Sequence, residues 1–509
     1  MKKFYKERIN FICFNLATVL VIGGVILLLP ILAGLVWGEN FHSSPLVPAF
    51  LIPGVVTVLL GVVLKKISYA GPLSLRDSMF ICTLSWIMLS LIGAIPFTVM
   101  LHISYLDALF ETISGFTTTG ITMLTGIESM PRSILFWRAL IQWIGGLGIL
   151  SMFILLGFKG GAAVNKIFSA ESHKVSLRKP FSGTYRTDKV FWILYISFTA
   201  GEIIILYLLG LDFFDAITHA FSTLSTGGYS IYDDSIAHFR LAGYTHAHLI
   251  ELVILFFMLL GGINFFIHFR FWTGDFKAIR DNAEIRFYWL LLAGAVVIIL
   301  INCPCDLGWT YIDFNGSTTV GFGALLFNLK DIAFQVVSIL TTTGYATRDI
   351  GSVYFAPIAK QLFLIFMVIG GCAGSTGGGF KILRVRILIR LVGNRLFRLN
   401  ASRYSRIPVT VDGKIIEEKE IQSILTLFFL WVFLLIMGGM ITALFSHHSG
   451  WQSFSGMFSA LGNIGPCYLS VDEIQLLHPV VKLTYMFGML AGRLEILPVI
   501  LLFSPKFYK

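Results

Sequence analysis

The sequence predicts an all-α polytopic membrane protein, made of two N-terminal transmembrane helices followed by four copies of a span–half-helix–span unit. Three observations predict it. The 509 residues are 56% hydrophobic and only 13% charged, where soluble domains carry about 25% charged residues. The apolar residues gather into runs near or above the roughly 20 needed to cross a bilayer. A short run of threonines and glycine, TTTG, occurs at 117–120 and again at 341–344, each time after an apolar helix-like segment.

Ten candidate spans fall near 9–37, 46–65, 78–101, 135–158, 190–210, 248–271, 287–302, 358–390, 421–445 and 478–503. The first follows MKKFYKER. It is too long for the apolar part of a signal peptide and has no small-residue cleavage site, so it reads as a retained span. With the N-terminus placed inside, 30 of the 38 Lys and Arg residues fall on the inner segments. This is a strong positive-inside bias. The formal charge of +10 is thereby accounted for by topology, and nucleic-acid binding is not required. Most of the six cysteines, Cys13, Cys82, Cys303, Cys305, Cys372 and Cys467, read as buried small apolar residues, and no metal-binding spacing is present.

The TTTG runs belong to a longer repeat. The first copy is LDALFETISGFTTTGIT (106–122) and the third KDIAFQVVSILTTTGYA (330–346). A second, FDAITHAFSTLSTGGYS (214–230), lies 108 residues after the first. A fourth, WQSFSGMFSALGNIGPC (451–467), lies 345 residues after it. Asp107, Asp215 and Asp331 coincide, with Gln452 in the fourth copy. Ser114, Ser222, Ser338 and Ser459 coincide, as do Gly120, Gly228, Gly344 and Gly465. Each copy reads as a half-helix of about ten residues, roughly 15 Å or half a bilayer. The Asp suits its N-terminal cap or first turn, and a glycine-containing loop follows. The spans after the loops carry mid-span glycines, Gly145-Gly146, Gly261-Gly262, Gly370-Gly371 and Gly492, which allow close helix approach.

Each unit contributes two full crossings, so all four share one orientation and can form a pseudo-fourfold arrangement around one pore. Non-helical backbone at membrane depth is tolerated only where it is buried in protein or lines a water-filled path. Four such loops converging on one axis can replace the hydration shell of a cation with carbonyl oxygens. Units are expected at 71–160, 185–272, 285–395 and 418–509, with the two N-terminal helices in 1–70.

The repeat pattern, with FWRALIQWIGGLGI (136–149), GGCAGSTGGGFK (370–381) and LAGRLEI (490–496), resembles the Trk/Ktr/HKT superfamily of potassium transporters. The two extra N-terminal spans make it more similar to the bacterial Trk membrane subunit. The resemblance covers nearly the whole chain. It implies potassium as the transported substrate, a homodimer with one pore per subunit in the inner (plasma) membrane, cytoplasmic termini, and a separate cytosolic nucleotide-binding regulatory subunit with RCK domains. Carried over by motif, the selectivity-filter positions are Thr118, Thr119 and Gly120; Thr226, Gly227 and Gly228; Thr342, Thr343 and Gly344; and Asn463, Ile464 and Gly465. The second loop departs from TTTG in its Ser225-Thr226-Gly227 run.

Six glycines between 370 and 379 interrupt an otherwise long apolar span, and each disfavours helix by about 1 kcal/mol relative to alanine. A flexible intramembrane loop is therefore expected there. The resemblance gives it a gating role, with Gly370, Gly371, Ala373, Gly374, Ser375, Thr376, Gly377, Gly378 and Gly379 as gate residues. A phosphate-binding P-loop is excluded because Phe380 separates Gly379 from Lys381, and Ile382 stands where GK[ST] needs a hydroxyl. Arg493, near a span centre, should face protein or water and is expected to meet this loop and raise an electrostatic barrier to cations. Arg138, near the outer end of its span, is expected to snorkel or to pack between subunits. The basic segment 381–406 is expected to contact anionic lipid or the regulatory partner, or to serve topology alone. A symporter coupled to protons or sodium remains the alternative to channel-like permeation. No span carries a convincing nucleophile–base pair or metal cluster, so an enzyme is not expected, and no organic cofactor is called for.

Overall fold

The computed structural model describes residues 2–39, 45–148, 184–303, 310–312, 318–400 and 408–503. Among these, seven helices are long and apolar enough to cross a bilayer, or eight if one bent pair is a single span. The N-terminal helices run Lys2–Leu27, continued by Leu29–Val36, and Ile52–Ile67, and the two pack along each other. The four units follow, each with a re-entrant helix between its spans.

The first unit consists of Leu75–Gly93 continued by Ile95–Leu101, the re-entrant helix Tyr105–Phe116, and Arg132–Trp143. The last helix passes into a π-helical turn, Ile144–Gly148, beyond which the expected span 135–158 lies outside the described residues. The second unit has Thr184–Leu208, the re-entrant helix Phe213–Leu224 and Ala247–Gly262. The third has Ala283–Ile301, Phe322–Leu340 and Pro357–Ile369, then Ile382–Asn400 after the glycine-rich break. The fourth has Glu418–Phe445, Gly450–Gly462 and Pro479–Arg493.

Three expectations are corrected here. The predicted span 248–271 is broken: Ala247–Gly262 and Phe265–Trp272 meet at 102°. Asn264 caps the second piece, accepting a hydrogen bond from Phe266 N at 2.8 Å, so the chain turns where two glycines weaken the helix and an asparagine starts another. The third re-entrant helix has 19 residues where about ten were expected. It starts at Phe322 rather than near Asp331, beside an antiparallel hairpin whose strands pair Thr310 with Val320, Tyr311 with Thr319 and Ile312 with Thr318. Asp331 is consequently mid-helix and caps nothing. Its carboxylate instead meets Arg348 at 2.8 Å and Arg240 at 3.3 Å. In the first unit the expectation holds: Ser104 is the cap and Asp107 lies in the first turn, its amide donating to Ser104 Oγ at 3.1 Å.

In units one, two and four a mid-span glycine, Gly145, Gly261 or Gly492, lies against the end of a re-entrant helix, whereas Gly370 and Gly371 of unit three meet the glycine-rich loop itself. A β-carbon on Gly145 would stand 2.0 Å from Phe116 O, and one on Gly492 2.0 Å from Leu461 O. Phe116 and Leu461 are equivalent positions of the repeat, so the same close approach recurs in units one and four. A larger residue would push the re-entrant helix off its seat.

Candidate functional site: four loops closed into a ring

All four re-entrant helices end in the same way. Thr118, Thr226, Thr342 and Asn463 adopt left-handed backbone, with φ of 51°, 53°, 61° and 56°. The next amide reaches back five residues to the aligned serine carbonyl: Thr119 to Ser114 at 2.8 Å, Gly227 to Ser222 at 2.9 Å, Thr343 to Ser338 at 2.9 Å and Ile464 to Ser459 at 3.1 Å. This is a Schellman-type termination, built here three times on threonine. A left-handed β-branched residue costs about 1–2 kcal/mol. Such backbone persists only where its surroundings hold it, and it gathers at functional sites.

The glycine two positions on is left-handed as well: φ is 80° at Gly120, 75° at Gly228, 86° at Gly344 and 108° at Gly465. Each of these glycines abuts a carbonyl of the neighbouring loop. A β-carbon on Gly120 would lie 2.2 Å from Gly227 O. One on Gly228 would lie 1.9 Å from Thr343 O, and one on Gly344 1.8 Å from Ile464 O. One on Gly465 would lie 3.1 Å from Thr119 O. The contacts run from loop one to two, three, four and back to one. Thr119, Gly227, Thr343 and Ile464 are equivalent positions, so four like carbonyls stand around a closed ring. Both the positive φ and the missing β-carbon demand glycine there.

The side chains brace this ring. Thr117 and Thr119 join hydroxyls at 2.7 Å, and Thr341 and Thr343 at 2.8 Å. Asn463 Nδ2 donates to Thr119 Oγ1 and to Met489 O, both at 2.9 Å, tying the fourth loop to the first. Gln142 Nε2 donates to Gly227 O at 2.7 Å, and Tyr229 N donates to Gln142 Oε1 at 3.0 Å. The hydroxyl of Thr118 and Oδ1 of Asn463 are fully buried without a hydrogen-bond partner. They occupy the same repeat position, and unpaired buried oxygens are costly in a dry protein.

Arg138 does not snorkel. It is 2% exposed, pairs with Glu111 at 2.9 Å and donates to Ser230 O at 2.9 Å. It also lies 4.2 Å over the Tyr229 ring. Glu111 sits on the first re-entrant helix and Tyr229 and Ser230 follow the second loop, so this buried pair joins two adjacent loops. Its acid partner, Glu111, stands within the quoted repeat, yet nothing local distinguishes it from a solvated helix residue.

The glycine-rich stretch breaks its span as expected. Instead of a loose segment, however, it is strapped to its surroundings. Gly378 N donates to Thr342 Oγ1 at 2.7 Å, and Thr376 Oγ1 donates to Leu224 O at 2.9 Å. The loop therefore bonds to the left-handed threonine of the third filter-like loop and to the last turn of the second re-entrant helix. Ala373 N donates to Glu284 Oε1 at 2.7 Å, and Lys381 Nζ folds back onto Gly377 O. Arg493 meets this loop: Nη1 donates to Thr376 O at 2.7 Å, and Nη2 to Gly145 O and Gly146 O, each at 2.7 Å. Glu495 takes Arg384 as its partner, at 2.6 Å.

The TrkH family profile, that of a cation transport protein, matches residues 47–508. The chain belongs to the TrkH family. An uncharacterized cation transporter of Methanocaldococcus jannaschii is 30% identical over 507 residues, 99% of this chain and 97% of that protein. The Trk system potassium uptake protein TrkG of Escherichia coli is 32% identical over 448 residues, 85% of this chain and 86% of the relative. The crystal structure of the potassium transporter TrkH from Vibrio parahaemolyticus superposes with a TM-score of 0.83 at 27% identity. It covers 98% of this chain and 100% of its own. The TrkH-family fold is thus the architecture expected from the repeats: a multi-pass helical membrane protein with four units around one axis.

Proposed function

We propose that this protein takes up potassium across the cell membrane by channel-like permeation through the ring of loops at 118–120, 226–228, 342–344 and 463–465. The observation that carries the reading is the closure of four equivalent carbonyls, Thr119, Gly227, Thr343 and Ile464, each seated against the next loop's glycine. Neutral carbonyl dipoles suit a weakly hydrated monovalent cation, and each re-entrant helix turns its negative C-terminal end toward the ring. Relatives named as potassium uptake proteins support the choice of ion. The protein acts as a transporter rather than an enzyme.

The loop 370–379 is the gate in this reading, and Arg493 both clamps it and places a positive charge on the cation path. The units take the bounds 71–160, 185–272, 285–395 and 418–509. The protein works as a homodimer in the inner (plasma) membrane with both termini cytoplasmic, and an RCK-domain nucleotide-binding subunit docks on the cytosolic side. Flux of potassium, rubidium and sodium into proteoliposomes tests the core claim. Potassium and rubidium should pass well ahead of sodium, with a reversal potential that follows the potassium gradient alone. Equal passage of sodium would overturn the filter, and a shift with an imposed proton or sodium gradient would replace permeation by coupled transport.

A further inference from the structure

The four loops are not braced alike: the second and fourth lack a threonine at the ring position, the fourth having Ile464 with Asn463 bonded to Thr119 and Met489 O, and only the second has glycine there. In loops one and three the ring residue is a threonine whose hydroxyl meets that of the residue two earlier. Thr117 and Thr341 already donate to Ile113 O at 2.7 Å and to Val337 O at 2.8 Å. Each hydroxyl has one proton, so Thr119 and Thr343 are the donors, and this bond fixes the ring peptide. Loop two has Gly227 at the equivalent position and no side chain to make that bond.

The space is nonetheless filled. A β-carbon on Gly227 would lie 2.4 Å from Gln142 Cδ, 2.6 Å from its Oε1 and 2.8 Å from its Nε2. Gln142 arrives from Arg132–Trp143, the span of a different unit, and is fully buried. Its amide takes both directions of bonding at once, donating to Gly227 O and accepting from Tyr229 N. We propose that Gln142 is the positioning residue of the second loop. It stands where the missing threonine would be and holds the Gly227 carbonyl in the ring, so that discrimination between potassium and sodium depends on a side chain outside the filter sequence.

The physical reason is backbone freedom. Glycine has the widest choice of φ and ψ, so an unbraced Gly227-Gly228 pair can turn its peptide and remove one of four oxygens. Selectivity in a carbonyl ring depends on the number and field of the coordinating dipoles. A primary amide of this length supplies both a donor for Gly227 O and an acceptor for Tyr229 N. Leucine keeps much of the volume but neither bond, and alanine keeps neither bond nor volume.

This inference rests on the filter reading, and the experiment separates the two. Potassium-to-sodium permeability ratios are measured in proteoliposomes for the wild type, Q142A, Q142L, G227T and Q142A/G227T. Q142A and Q142L should lose discrimination at least about tenfold while still passing cations. G227T should lose flux, because its β-carbon collides with Gln142. The double variant should regain most of the discrimination, since removal of the Gln142 side chain leaves room for the introduced hydroxyl to reach Ser225 as Thr119 reaches Thr117. That recovery is a readout that general destabilisation does not produce. A wild-type ratio in Q142L, which keeps most of the side-chain volume and neither hydrogen bond, would overturn the proposal. So would a double variant no better than the worse single one. An unselective wild type would instead defeat the filter reading itself.

Discussion

If the loop 370–379 is the gate proposed above, Arg493→Ala should open it. In the structure the guanidinium joins three carbonyls from two segments: Thr376 of the intramembrane loop, and Gly145 and Gly146 at the end of the first unit. The bonds to Gly145 and Gly146 set where the guanidinium sits, and the bond to Thr376 ties it to the loop. A hydrogen bond from a charged donor is worth about 1.5–3 kcal/mol net. If the bond to Thr376 exists only with the loop closed, its removal shifts the open-to-closed ratio by about 10- to 100-fold, since each 1.4 kcal/mol is tenfold. Removing the positive charge also lowers the barrier to an approaching cation, so the two effects act in the same direction. Lysine keeps the charge without the planar fork, and Arg493→Lys should lie between wild type and alanine. The assay is initial rubidium uptake into potassium-loaded proteoliposomes at matched protein, with the melting temperature and potassium-to-sodium ratio recorded beside it. Flux at or below the wild-type level in the alanine variant, with melting and selectivity unchanged, would refute the clamp.

Three further outcomes are expected. Gly228→Ala places a β-carbon 1.9 Å from Thr343 O at a φ of 75°. The left-handed cost of about 1–2 kcal/mol and overpacking of about 1–3 kcal/mol should together abolish selective flux and lower the melting temperature; normal flux would show that the ring tolerates a side chain. Arg138→Met strands a buried Glu111 and should cost about 3–5 kcal/mol, whereas the E111L/R138M pair should recover part of that in a thermal-melt comparison of the three variants. Glu284→Ala removes the acceptor for Ala373 N and should loosen the loop, raising basal rubidium flux, while Glu284→Gln, which keeps an oxygen there, should stay near wild type; equal flux in both would detach Glu284 from the gate.

Much of the fold was legible because it is written in local backbone requirements. Half-helices, loops and their register follow from aligned Ser114, Ser222, Ser338 and Ser459, and from glycines that need positive φ. The break at 370–379 follows from helix-poor composition. The 102° bend between Ala247–Gly262 and Phe265–Trp272 was missed, although Gly261-Gly262 and the cap Asn264 were there to suggest it. The early start of the third re-entrant helix was missed because an amphipathic pattern does not say which residue begins it. Arg138 was misread because position along a span says nothing about which neighbour waits inside.

The sequence by itself determined the repeat, its register and the places where helix must fail, since these depend on each residue's own φ, ψ and hydrogen-bonding needs. Only the tertiary structure decided that the loops close in the order one, two, three, four. Only it decided that Arg493 reaches Thr376, and that Gln142 of one unit completes the loop of the next. Those are contacts between segments far apart in the chain. They depend on how the units pack around the axis, which is a property of the assembled helices and of no single stretch of residues.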